Sequence, residues 1–341
     1  MTRRAIAALA VGGLLLAACG GGDKKAPPAK TTTTAAVTTS AAPATDVAPL
    51  TGLPGAPRQR PALFVKIDNA PKARPQAGLN QADIIIEEGV EGGITRFATI
   101  FHSNDADPVG PVRSARTSDI PIASAFNHPL FAYSGTNSDF EKLLDKAPIV
   151  NVGPRYFPAG YHRVSGRPAP YNYFSATQLL FGRAAANAGP PPPQFTYRAA
   201  GQAPGGEAAS GAHLEFRGVV VTAVDWAWDA AASAWKRTNN GSPHVDAAGV
   251  QVSAVNVVIE FVTYKDTGYK DQSGAAVPEA QLIGEGDAWV LTGGQIVKGR
   301  WQKPTPEAVT KLVMADGSVI ALTPGRTWVE LPAPGLAQVR P

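Results

Sequence analysis

The sequence predicts an α+β protein, with an N-terminal mixed α/β domain followed by a mostly antiparallel β C-terminal domain. Three features carry this expectation. Short apolar runs of strand length alternate with helix-start signals between residues 63 and 186. A stretch rich in Pro, Gly and Ala, residues 190–211, interrupts that pattern. Beyond it helical periodicity disappears, and Asn240-Gly241, Gly293-Gly294 and Asp316-Gly317 separate strand-like segments as turns.

The elements follow in chain order. Leu63 to Asp68 is a strand; Ile84-Ile85-Ile86, apolar on both faces, is a second and belongs in the middle of a sheet. Ile94 to Phe101 is a third. Thr117 to Phe126 reads as a helix with Thr117 or Ser118 as cap and Pro121 near its first turn. Leu130 to Ser134 is a short strand and Asn137 to Lys146 a helix. Ser175 and Gln178 form a capping-box pattern that opens a helix to about Ala186. In the second half, Val219–Val224, Trp226–Trp228, Ala234–Arg237, Val255–Val262, Ala288–Leu291, Gln295–Lys298, Val319–Leu322 and Thr327–Leu331 read as strands. The expected organisation is 46–189, a linker at 190–211, and 212–341.

Ahead of these elements, Arg3 and Arg4 precede an apolar run from Ala5 to Leu16, and small residues lead to Cys19, the only cysteine of the chain. Positive start, short apolar core and small residues are the order of a secretory signal. The run is about a dozen residues, short of the roughly 20 that span a bilayer. Leu16-Ala17-Ala18-Cys19 resembles a bacterial lipobox, which implies that residues 1–18 are a signal peptide and that Cys19 is lipidated with a diacylglyceryl group. A second acyl chain converts marginal membrane binding into stable anchoring. The expected location is the extracytoplasmic face of the cell membrane. Residues 19–45, mostly Ala, Pro, Thr and Lys, have little to bury and read as a disordered tether.

Charge narrows the partners. Lys and Arg number 31 against 27 Asp and Glu. Residues 1–45 hold five of the basic residues and one acidic residue, so the remainder carries 26 of each. A neutral body argues against a nucleic-acid partner, which needs a cationic face. With Cys19 acylated, no thiol is left for a disulfide, a zinc site or a nucleophile. His102, His128, His162, His213 and His244 show no metal-like clustering, and no cofactor is indicated.

The densest polar group is Glu87-Glu88-Gly89-Val90-Glu91-Gly92-Gly93-Ile94-Thr95-Arg96. If Gly92-Gly93 is a two-residue hairpin turn, Gly89 faces Arg96 and Glu87 faces Ala98, which puts Glu87, Glu91 and Arg96 on one face. The group is then either a structural ion pair or the floor of a cleft in which Arg96 binds an anion. Glu87 and Glu91 as a glycosidase pair would be about 13 Å apart at the backbone, against the roughly 5–9.5 Å required of catalytic carboxyl groups. Arg113 and Arg116, just before a helix start, could join in binding phosphate or carboxylate or could pair with Asp119. Ser114 lacks a nucleophile-elbow sequence and is not read as catalytic. Trp301 and Trp328, in Lys298-Gly299-Arg300-Trp301 and Gly325-Arg326-Thr327-Trp328, are either core or sugar-stacking residues.

Several segments in this order resemble the YerB-like lipoproteins, a two-domain family of unknown function. They are Pro49-Leu50-Thr51-Gly52, Lys66-Ile67-Asp68-Asn69, Ala73-Arg74-Pro75-Gln76-Ala77-Gly78-Leu79, Glu91 to Arg96, Gly110 to Arg116, Gly299-Arg300-Trp301 and Gly325 to Trp328. The resemblance implies an extracytoplasmic lipoprotein and carries no catalytic residues. The candidate binding residues are Arg74, Glu87, Glu91, Arg96, Arg113 and Arg116. The leading expectation is a cell-envelope binding or accessory module for peptidoglycan, an anionic wall polymer or an envelope protein. The alternatives are a cell-wall hydrolase or transferase using Glu87 or Glu91, and a structural scaffold.

Overall fold

A strand that is apolar on both faces has to lie inside a sheet, and the computed structural model, which describes residues 46–271 and 274–341, places Ile84–Gly89 (β2) there. Cys19 and the segments read as signal peptide and tether, residues 1–45, lie outside the described residues. On one side β2 pairs antiparallel with Thr95–Phe101 (β3), and then come Leu63–Asp68 (β1), Leu130–Ala132 (β4) and Val150–Asn151. On the other side it pairs in parallel with Thr327–Leu331, followed by Asn256–Glu260, Gly284–Thr292, Gln295–Lys303 and Lys311–Val313. A second, antiparallel sheet runs Ser242–Pro243, Ala234–Asn239, Val221–Asp229, Gly211–Arg217, Ala337–Arg340.

Alternation along the strands sorts the core. Leu63, Val65, Ile67, Ile85, Phe97 and Trp328 on one face of the central sheet share an apolar cluster with Leu214, Phe216, Trp226 and Trp235 of the second sheet. Phe64, Ile84, Ala98, Ile100 and Val329 on the opposite face pack with Ile122, Phe126 and Phe140. Trp301 and Trp328 are both buried, and Trp301 Nε1 donates to the Phe261 carbonyl, so these tryptophans are core.

The expected separation at 190–211 is not a separation between two folded bodies. The β2 pairing with Thr327–Leu331 carries one sheet across both halves. The stretch itself is stitched in: Arg198 N donates to Leu322 O, and Glu207–Ala208 pairs with Gln295 and Ile296. Residues 46–341 lie within one compact unit.

Strands dominate, and the helices are shorter than the sequence suggests. The segment read as helix from Thr117 is Asp119–Ala123 (α1) with a 3-10 turn to Phe126. Ser118 makes no side-chain cap; its Oγ accepts from Ala280 N instead. The helix expected from Asn137 is Ser138–Leu144 (α2), with Asn137 as its cap: the Asn137 side chain accepts from Asp139 N. Ser175 ends the Tyr173–Ser175 strand and donates to Gly160 O, so no capping box forms and Thr177–Phe181 (α3) is short. Val319–Leu322 forms only isolated bridges, while Val221–Asp229 merges two expected strands.

Candidate functional site

The hairpin register decides which charges meet. β2 and β3 pair Glu87 with Phe97, Glu88 with Arg96 and Gly89 with Thr95, one residue from the register expected. The connection is longer than two residues: Val90 N donates to Ile94 O around a 3-10 turn at Glu91–Gly93. Gly93 has φ +85°, and a Cβ there would lie 2.1 Å from Val220 O, so only glycine fits. Because side chains alternate along a strand, a one-residue slip moves Glu87 to the face opposite Arg96. The expected Glu87–Glu91–Arg96 face is therefore corrected, and Glu87 and Glu91 do not form a catalytic pair.

Glu87 is buried beneath the second sheet. Its Oε1 accepts from Asn69 (3.2 Å) and Thr95 (2.7 Å), and its Oε2 from Arg237 Nη2 (2.6 Å). Arg237 Nη1 donates to His244 Nδ1 at 2.6 Å, so the His244 proton is on Nε2, 2.8 Å from Gln76 Oε1. That neutral ring fits a pKa lowered well below the usual value by burial and by the Arg237 charge. Glu330, level with Glu87 in the parallel pair, accepts from Trp226 Nε1; burial and the Glu87 charge raise its pKa well above the ordinary range. Arg74 joins this group through Asn69 rather than the other arginines, lining a smaller cleft with His244 and Asp246; burial lowers its pKa to about 10.

On the opposite face the remaining candidates converge. Arg116 holds Glu91 through two nitrogens, Nε to Oε1 at 2.6 Å and Nη2 to Oε2 at 2.7 Å. Arg96 Nη2 is 3.8 Å from the same carboxylate and Nη1 donates to Ser114 O at 2.9 Å. One carboxylate thus serves two guanidiniums, and burial followed by the Arg116 charge lowers the Arg96 pKa to about 10. Arg113 Nε is 2.9 Å from Asp68 Oδ2, with about a quarter of its side chain exposed, 27 %. Beside them Lys66, fully buried, contacts Glu88 and Asp119; burial raises the Asp119 pKa against the pull of Lys66.

Arg96, Arg113 and Arg116 line one open cleft of about 560 Å³ at the carboxyl ends of β1 and β4. Arg163, Lys270, Asp271, Tyr173 and Tyr269 line it too, as do Ser134, Thr136 and Asn137. Its five cations outnumber the carboxylates of Asp271 in the wall and of Glu91 and Asp68 behind it, and the one net negative charge of the neighbouring Lys66, Glu88 and Asp119 does not cancel the surplus. Within a wall that also offers hydroxyl, amide and aromatic groups, this surplus suits an anionic ligand.

Sequence reasoning missed Lys66, Arg163, Lys270, Arg237 and Glu330 as partners in these groups; Asp119, expected as a possible partner of the arginines, accepts from Arg116 N and contacts Lys66. Lys66 left a signal, since a lysine within Leu63–Ile67 interrupts an otherwise apolar strand. Arg163 and Lys270 left none, being brought in by hairpins remote in sequence. Among the described residues no group of three His, Cys, Asp or Glu could hold a metal ion, and no helix is long and apolar enough to cross a membrane.

Two family models match this chain in sequence. The N-terminal domain of the protein of unknown function DUF3048 matches residues 50–189, and its C-terminal domain matches residues 212–329. The chain belongs to the DUF3048 family. It is similar to the putative lipoprotein YerB of Bacillus subtilis (strain 168), 27% identical over 292 residues, covering 83% of this chain and 85% of YerB. A crystal structure of the YerB protein from Bacillus subtilis has the same fold at a TM-score of 0.74 and 25% identity, covering 86% of this chain and 99% of that one. In this DUF3048 protein the unmatched interval between the two family domains is the stitched stretch described above, and the arginine cleft draws residues from both domains.

Proposed function

We propose that this DUF3048 protein is a lipid-anchored binding module on the extracytoplasmic face of the cell membrane, holding an anionic component of the envelope in the arginine cleft. The single observation that carries the reading is the convergence of Arg96, Arg113 and Arg116 with Arg163 and Lys270 in one open cleft with surplus positive charge. The lipobox-like sequence ending at Cys19 supports anchoring, and the similar YerB is named a putative lipoprotein.

Titration of the mature protein with purified anionic wall polymer, against the same polymer with its anionic groups removed, tests the binding. Saturable binding of the anionic form alone, weakened by Arg113→Ala, is the expected result; equal affinity for both forms, or none for either, refutes it. Anchoring is tested separately: Cys19→Ser should shift the protein out of the detergent phase or leave it unprocessed, and mass spectrometry should find two acyl chains on Cys19. An unmodified Cys19 in the mature protein rules the anchor out.

A further inference from the structure

The cations of the cleft are of two kinds. Arg116 is committed, with Nε and Nη2 on Glu91 and Nη1 on Ala115 O. Arg96 is 6% exposed and holds Ser114 O. These two set the charge of the floor but have little to offer a ligand directly. The remaining three do. Arg113 is anchored only through Nε, and among the described residues its two terminal nitrogens make no hydrogen bond within the protein. Arg163 is exposed and pre-positioned, with Nη1 on Asn172 Oδ1 at 2.7 Å and its guanidinium 5.2 Å from the Tyr173 ring centre. Lys270 is exposed, its ammonium 3.5 Å from Gly274 O.

These available cations come from three separate segments: the loop before α1, the Tyr161–Arg163 strand and the Tyr264–Lys270 strand. A single small anion satisfies one such contact, not three on different walls. Between them the cleft presents Tyr173 and Tyr269, the hydroxyls of Ser134 and Thr136 and the amide of Asn137. Rings and neutral hydrogen-bonding groups suit uncharged, hydroxyl-rich units. A volume of about 560 Å³ has room for more than one unit.

Deepening the proposed anion-binding function, on which it rests, we infer that the ligand is an extended polyanion whose anionic groups are separated by uncharged sugar or polyol units. Arg113 takes one anionic group, and Arg163 and Lys270 take those that follow. Phosphate and carboxylate share the chemistry that recognises such a chain, and the two are separable by experiment.

The test is titration of the mature protein with two length series, glycerol phosphate units (one, two and four phosphates) and oligogalacturonates (one, two and four carboxylates), with neutral maltotetraose as control. Affinity should rise at least tenfold from one anionic unit to four in one series, and the series in which it rises identifies the anionic group. Arg113→Ala should weaken binding by at least about tenfold at every length. Arg163→Ala and Lys270→Ala should remove most of the gain with length, weakening the four-unit ligand several-fold more than the single unit; both side chains are exposed, so an unchanged melting temperature confirms that the variants fold. Binding that is independent of length in both series overturns the extended-chain inference while leaving an anion site in place. No binding of any anion, or binding of maltotetraose equal to the anions, overturns the proposed function together with it.

Discussion

Arg237 donates to Glu87 at 2.6 Å with both side chains fully buried, and the two residues belong to different DUF3048 domains. Removing one partner of such a pair strands a charge in an apolar interior, whereas removing both does not. The pair therefore ties the two family domains into one cooperative unit, in the same sense as the β2 pairing with Thr327–Leu331.

Arg237→Ala should lower the stability of the whole protein by roughly 3–5 kcal/mol. Chemical denaturation should show a single transition at lower denaturant. Fragments 46–189 and 212–341, produced separately, should lack cooperative unfolding. A cooperative transition in either fragment alone would show that the domains fold independently.

Arg113 and Arg116 should separate binding from stability. Arg116→Ala leaves Glu91 buried beside only the distant Arg96 nitrogen, so it should destabilise by roughly 3–5 kcal/mol. Arg96→Ala should also act mainly on stability, because Arg96 is buried against Ser114 O. Arg113→Ala leaves the buried Asp68 carboxylate with the Ala70 N–H and with water admitted where the partly exposed guanidinium stood, so it should cost about 1–3 kcal/mol of stability, less than Arg116→Ala, while a lost charged hydrogen bond should weaken anion binding by about 1.5–3 kcal/mol. Calorimetric melting and ligand titration of the three variants distinguish these outcomes; an Arg113→Ala melting loss matching that of Arg116→Ala would argue for a bracing role.

Gly93 fixes the turn that sets the register. An alanine there must keep a positive φ and meets Val220 O, so Gly93→Ala should destabilise by about 2–4 kcal/mol. Gly92 has φ +71° with nothing near its Cβ position, so Gly92→Ala should cost about 1–2 kcal/mol. Equal losses in the two variants would mean that the close approach to Val220 contributes nothing.

Local sequence made some of this legible and not the rest. The strands at Leu63–Asp68 and Thr327–Leu331 stand as read, and Ile84-Ile85-Ile86 is central because its two faces need two cores. The convergence of Arg96, Arg113 and Arg116 follows from two nearby segments, so it could be foreseen as one of two readings. Register could not, because Gly-Gly fits a two-residue turn as well as the longer one that contacts Val220 selects. Nor could the single unit: a Pro- and Gly-rich stretch looks the same whether it links two bodies or, as at Tyr197 and Ala208, runs along one. Partners 150 residues apart, such as Glu87 and Arg237, leave no local signal.

The last prediction concerns pH. Glu260 and Lys303 are buried on the helix-covered face of the central sheet, in a small apolar cavity lined by Ile84, Ile122 and Phe126. Burial raises the Glu260 pKa to about 7, against the attraction of Lys303, and lowers the Lys303 pKa to about 8. Lys303 donates to Ala308 O, and no hydrogen bond to the Glu260 side chain is found among the described residues. A carboxyl with a raised folded pKa binds its proton more tightly in the folded state, so its contribution is most favourable below the unfolded value and declines as pH rises from about 4.5 to about 7. Glu260→Gln should therefore stabilise the protein at pH 8 by about 1–3 kcal/mol, with the gain shrinking toward pH 4.5. In a Lys303→Met background the carboxylate has lost its cation, and the same substitution should stabilise more. Denaturation midpoints at pH 4.5, 6 and 8 for the four proteins measure this directly. A Glu260→Gln effect that is destabilising and independent of pH would mean that Glu260 is held as a satisfied carboxylate instead.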